Sequence, residues 1–137
     1  MERDLNLDRN ELPQYLEYLE KAELVSVLRM KATGDAIMRK MDKLYLQNPN
    51  VVWILSEVNP NMGNLCETIF YCWTKVLFNT MESPISDFEI DGKTFEVGGK
   101  NKGKKQIKSA TIGYIVKDDI EYVFDNQIPL WMFGFLY

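Results

Sequence analysis

The sequence predicts an α+β fold, an expectation carried by three observations. Apolar residues recur at helical spacing over 12–22 and, more broadly, over 62–77. Two short runs, 85–90 and 94–97, flank the turn Asp91-Gly92-Lys93, the pattern of a β-hairpin closed by an Asp-Gly loop. Short stretches rich in β-branched residues, 24–30 and 112–116, supply further strands. A chain of 137 residues, 46% of them hydrophobic, suits one domain, or one domain with a small appendage, and is long enough for a real core.

Leu12, Tyr15, Leu16, Leu19 and Ala22 form the first amphipathic stripe, with Asn10 as its N-cap, Pro13 tolerated in the first turn and an end near 21–23. The runs 24–30 and 43–46 read as strands on either side of a charged loop over 31–41. Helix, strand, exposed loop, strand is the back half of a winged helix; an ordinary α+β packing unit fits the pattern equally well. Asn48-Pro49 then opens a short helix, and 59–61 breaks the chain. The central core helix follows, with Leu65, Cys66, Ile69, Phe70 and Trp73 at the heart of a stripe running from Met62 to Leu77. Glu67 lies off that stripe, facing either solvent or a site at the edge of the core. After the hairpin, 112–116 reads as a buried strand and 120–123 as a weaker one. The end, 128–137, is unusually apolar, so Trp131, Phe133 and Phe135 are expected to pack on the core or on a neighbour.

Composition removes several functions. There is no histidine, which excludes Ser-His-Asp and Cys-His catalysis and every histidine-ligated metal. Cys66 and Cys72 are six residues apart on one expected helix, about 9 Å along its axis, too far for a disulfide; they read as reduced, buried hydrophobes. No apolar run is long enough to span a bilayer, and the polar, acidic start is unlike a signal peptide, so a soluble cytoplasmic protein with no membrane partner is expected. With a net charge of −4, nucleic acid could be held only by a local basic patch.

The stretch 86–102 concentrates the chemistry. The hairpin places Asp87 and Glu96 on neighbouring strands, where two carboxylates could collect Mg²⁺ to activate water against a phosphodiester. The plainer reading makes them a turn acid and a cross-strand partner of a lysine. Lys100, Lys102, Lys104, Lys105 and Lys108 follow with no acid between Val97 and Ser109, which reads either as a solvated loop or as a phosphate-binding patch.

The blocks YLEYLEKAELV, DKLYLQNPNVVWIL, GNLCETIFYCW, SDFEIDGKTFEVGGKNKGKKQIK, GYIVKDDIEY and IPLWMFGFLY resemble the C-terminal half of a family of bacterial AAA-type ATPases, especially of gut Bacteroidales. In that family an ATPase core precedes a winged helix and a domain similar to the restriction-endonuclease, PD-(D/E)xK, fold. The resemblance implies a partial winged-helix-like segment over 1–47, a restriction-endonuclease-like domain with a mixed sheet and central helix over 48–137, and an ATPase core as partner in the full-length family. The chain looks like the C-terminal portion alone, since no G-x-x-x-x-G-K-[ST] run occurs. Carried over by residue, Asp87 matches the first acid of the nuclease pattern, Glu96 the acid of its (D/E)xK element, and Glu67 the acid donated by the preceding helix, making these three the candidate metal ligands. The motif lysine departs: Gly98 stands two residues after Glu96, which leaves Lys100 as the catalytic candidate. Strand parity keeps it on the Glu96 side but roughly 13 Å away, unless a bulge at Gly98-Gly99 brings it back.

Three functions from different classes follow. The first is a non-catalytic accessory domain of an AAA-type ATPase, recognising nucleic acid or a partner with a degenerate nuclease site. The second is a Mg²⁺- or Mn²⁺-dependent DNA nuclease using Asp87 and Glu96, and the third a packing or oligomerisation module.

Overall fold

Helix α1, Leu12–Lys21, carries Pro13 in its first turn, where the missing N–H would have no intrahelical partner, and Lys21 in its last. Its N-cap is Glu11, which makes no side-chain capping bond; Asn10, expected in that role, lies outside the described residues, which are 11–30, 43–99 and 106–136 of a computed structural model. No residue of α1 is buried. Its carboxylate Glu20 ties it to the next strand, accepting from the Val27 N–H at 3.2 Å and from Arg29 at 2.9 Å. Strands β1, Val25–Leu28, and β2, Lys43–Leu46, pair antiparallel with Val25 opposite Leu46. The loop expected over 31–41 lies outside the described residues.

Helix α2, Pro49–Leu55, starts where the Asn48 side chain accepts from the Asn50 N–H at 2.9 Å. Helix α3, Met62–Thr74, starts in the same way at Asn61, which accepts from the Asn64 N–H at 3.1 Å. The buried face of α3 is wider than the sequence stripe. Tyr71 and Cys72 join Leu65, Cys66 and Phe70, while Val76 and Leu77 fall beyond the end of the helix and stay exposed. Thr68 and Thr74 fit into that face because their hydroxyls donate back to the Asn64 and Phe70 carbonyls at 2.7 and 2.8 Å. Both cysteines are free and buried, and burial, with a smaller contribution from Asp118, pushes the Cys66 thiol up to about 11.

Five strands, β3 (Met81–Glu82), β4 (Phe88–Ile90), β5 (Lys93–Gly98), β6 (Gly113–Lys117) and β7 (Gln127–Pro129), lie side by side in that order. The first three are antiparallel, and β6 and β7 add parallel to β5 and β6. The hairpin forms as expected: Ile90 faces Lys93 across Asp91 and Gly92, whose φ angles of 48° and 74° match the turn that follows a sheet's twist. Its first strand is shorter than the run 85–90, however. The chain must fold back to pair Glu82 with Phe88, so 83–87 forms the turn, with Ser83 N–H donating to the Asp87 carbonyl at 3.4 Å.

The weak strand expected over 120–123 is not one. Asp119 and Asp125 take positive φ angles of 61° and 55°, which interrupt an extended backbone on both sides. The edge of the sheet is β7 instead, where Pro129 is tolerated. Between β5 and β6 the crossover contains the 3₁₀ helix Gln106–Ser109. It closes tightly on Gly113, where an added Cβ would lie 2.9 Å from the Ile107 Cβ.

The core gathers Phe70, Phe88, Phe95, Val97, Val116 and Leu130, and it extends across residue 47 to take in Leu28 and Tyr45. The Phe70 ring centre lies 5.0 Å from Phe88, 5.5 Å from Phe95 and 4.8 Å from Phe133. Phe133 belongs to the C-terminal 3₁₀ helix, Leu130–Phe135. With three residues per turn, 130 and 133 share the inward face. Trp131 and Phe135, expected to be covered, therefore turn outward and are 52% and 80% exposed. Helices against a mixed five-stranded sheet make the fold α+β. No helix among the described residues is long and apolar enough to cross a membrane.

Candidate functional site

Asp87 sits one residue ahead of β4, at the point where that strand has turned away from β5. Its Oδ2 accepts from the Val97 N–H at 2.8 Å, so a side chain replaces the ladder bond that the missing strand residue would have made. Glu96 stands between Phe95 and Val97 in β5. Those neighbours pack toward α3, and strand alternation turns Glu96 the other way. The Ser86 hydroxyl donates to the Glu96 carboxylate, with the Phe95 carbonyl 3.3 Å from the same oxygen. Asp87 and Glu96 are only 8% and 2% exposed. At such burial a charge costs several kcal/mol unless it is paired or hydrogen-bonded, so these contacts decide whether the carboxylates can remain where they are.

Glu67 faces the edge of the core. Tyr45, from β2, donates its hydroxyl to Glu67 Oε2 at 2.8 Å, while its ring packs 5.3 Å from Tyr71 and 5.8 Å from Phe88. Burial raises the Tyr45 pKa, and the carboxylates of Glu67, Asp87 and Glu82 raise it further. The phenol is therefore a neutral donor set among acids. Two residues earlier on the same face of β2, the Lys43 ammonium lies 3.8 Å from Asp87 Oδ1. Neither Lys43 nor Tyr45 is singled out by sequence reasoning. Their signal is the alternation in KLYL, which places both on one face, but their acidic partners are more than twenty residues away in the chain.

Of the lysines expected to touch phosphate, Lys108 is described and exposed on the crossover 3₁₀ helix. Lys100, the catalytic candidate, and Lys102, Lys104 and Lys105 lie outside the described residues. Among the described residues no three Cys, Asp or Glu side chains are grouped so as to hold a metal ion. A cleft of about 280 Å³ opens elsewhere, between β1, the end of α3 and β3, lined by Val27, Arg29, Tyr71, Lys75 and Phe78 among others. Its cations are engaged: Arg29 pairs with Glu20, and Lys75 donates to Ser26 Oγ at 2.5 Å. The acids of the hairpin do not line it. No protein-family model matches the sequence, and no curated protein or solved structure is significantly similar to it.

Proposed function

We propose that the chain is a non-catalytic accessory domain of an AAA-type ATPase, built on a restriction-endonuclease-like core whose acids have become structural, and that it recognises a macromolecular partner. The observation that carries this reading is the engagement of all three acids by neighbours in the fold: Asp87 with the Val97 N–H and Lys43, Glu96 with Ser86, and Glu67 with Tyr45. Mg²⁺ requires several oxygens converging on one near-octahedral point. Here one Asp87 oxygen faces an N–H and the other an ammonium, an arrangement that suits hydrogen bonding and does not suit that ion. The mixed sheet with α3 packed against it agrees with the architecture that the family resemblance implies. If the partner is nucleic acid, the 100–108 lysines would meet its phosphates, with a steep salt dependence.

Plasmid cleavage in Mn²⁺ tests the reading when wild type and Glu96→Ala are assayed and melted side by side. Wild type should not cut, and Glu96→Ala should melt at a lower temperature because it removes the Ser86 hydrogen bond to the carboxylate and leaves a void at a buried position. Cutting by wild type, abolished in a Glu96→Ala protein that melts unchanged, would show a working nuclease and overturn the proposal.

A further inference from the structure

The end of the chain presents aromatic side chains that the fold does not use. Tyr122 and Phe124 are 79% and 74% exposed, and Trp131 and Phe135 are also open to solvent. The loop that carries Tyr122 and Phe124 adjoins the 3₁₀ helix that carries Trp131 and Phe135. The Trp131 indole N–H donates to the Ile120 carbonyl at 3.3 Å, the Trp131 and Phe135 rings meet edge to face at 6.0 Å, and Phe124 bridges to Gln127 at the start of β7.

This surface is also held in place. The Asp118 N–H donates to the Gly98 carbonyl at 3.2 Å, the Ile115 N–H to the Asn126 carbonyl at 2.9 Å, and the Asn126 side chain to the Gly113 carbonyl at 3.0 Å. An exposed aromatic patch on a backbone fixed at both ends is pre-organised for docking, because little ordering entropy remains to be lost on binding.

Its charge selects the occupant. The twenty residues after Lys117 contain four acids, Asp118, Asp119, Glu121 and Asp125, and no lysine or arginine. Carboxylates beside exposed aromatic rings attract Lys and Arg twice over, by ion pairing at the rim and by cation–π contact with ring faces. The same acids repel nucleic-acid phosphates and anionic lipid headgroups. An isologous pair of two copies would set this acidic surface against itself.

We propose that the loop 118–126 and the C-terminal 3₁₀ helix form a docking surface for a basic protein segment, one that presents apolar side chains between lysines or arginines. This rests on the reading of the chain as a recognition domain and names the class of partner. The aromatic rings are the anchors and the carboxylates the rim, the usual division at a protein interface.

The test uses the full chain and fluorescently labelled 15-residue peptides in anisotropy titrations. One peptide alternates Lys or Arg with Leu and Trp, a second carries Glu in place of every basic residue, and the third probe is a labelled DNA duplex. The basic peptide should bind at least about tenfold more tightly than the acidic one. Tyr122→Ser/Phe124→Ser should weaken it by about tenfold or more while melting like wild type, since both side chains are exposed. Asp118→Lys/Glu121→Lys should reverse the preference between the peptides. Equal binding of the two peptides, or binding indifferent to both double variants, would overturn the proposal. So would DNA binding lost in Tyr122→Ser/Phe124→Ser, or a dimer in sedimentation that this variant dissolves. None of these results bears on cleavage, so the non-catalytic reading stands or falls separately.

Discussion

Taking a carboxylate out of water is costly unless donors replace the lost hydration, and the candidate acids obtain donors of different strength. Glu67, half-buried, receives a hydroxyl at 2.8 Å from Tyr45, whose ring packs against Tyr71. Asp87 receives a backbone N–H at 2.8 Å and, at a longer 3.8 Å, a partly exposed ammonium. Solvent weakens that last contact, so it contributes less than about 1 kcal/mol, whereas a hydrogen bond to a charged group is worth about 1.5–3 kcal/mol. The two substitutions on β2 should therefore rank clearly. Tyr45→Phe should lose about 1.5–3 kcal/mol in urea denaturation, and Lys43→Met less than about 1 kcal/mol. The reverse order would mean that the lysine, and not the phenol, holds β2 to the acids, and would recommend Lys43 as a replacement for the missing motif lysine.

Elements specified by local chemistry were legible in the sequence, and elements specified by distant partners were not. The Asp-Gly turn is local, since only its two residues need positive φ, and it appeared where expected with Ile90 facing Lys93. The cap at Asn48 is equally local, whereas the cap at Asn61 falls in a stretch that the sequence marks only as a break. By contrast, 120–123 and 127–129 both contain β-formers, and the choice between them depends on Asp119, Asp125 and the parallel register with β6. No short window of sequence displays that register. The site divides in the same way: Glu96 lies in the hairpin and Asp87 next to it, in the turn ahead of β4 and not on the strand expected for it, but Lys43 and Tyr45 reach the acids only through tertiary packing. The hairpin offers a direct check at this scale. Gly92→Ala places a Cβ in open space, so any loss comes from its φ of 74° and not from a clash; it should cost about 1 kcal/mol. A stability unchanged from wild type would show that the turn relaxes to another type without disturbing β4 and β5.

At the scale of the whole molecule, the last turn of chain separates what stabilises the fold from what is left over for a partner. Leu130 and Phe133 close the core on α3 and β5, with the Phe133 ring 4.8 Å from Phe70 and 6.4 Å from Phe95. Phe135, two residues on, is exposed and touches Trp131 at the surface. Truncating a packed phenylalanine removes its transfer free energy and leaves a cavity, whereas truncating an exposed one changes little. Phe133→Ala should therefore lose about 2 kcal/mol or more, and Phe135→Ala less than about 0.5 kcal/mol. Chemical denaturation of both variants under the same conditions checks the contrast. A comparable loss in both would mean that Phe135 is covered in solution and belongs to the core, which would remove one anchor from the docking surface. The predicted split, with Phe135→Ala stable but weakened in peptide binding, ties the aromatic end to recognition and leaves the fold to Leu130 and Phe133.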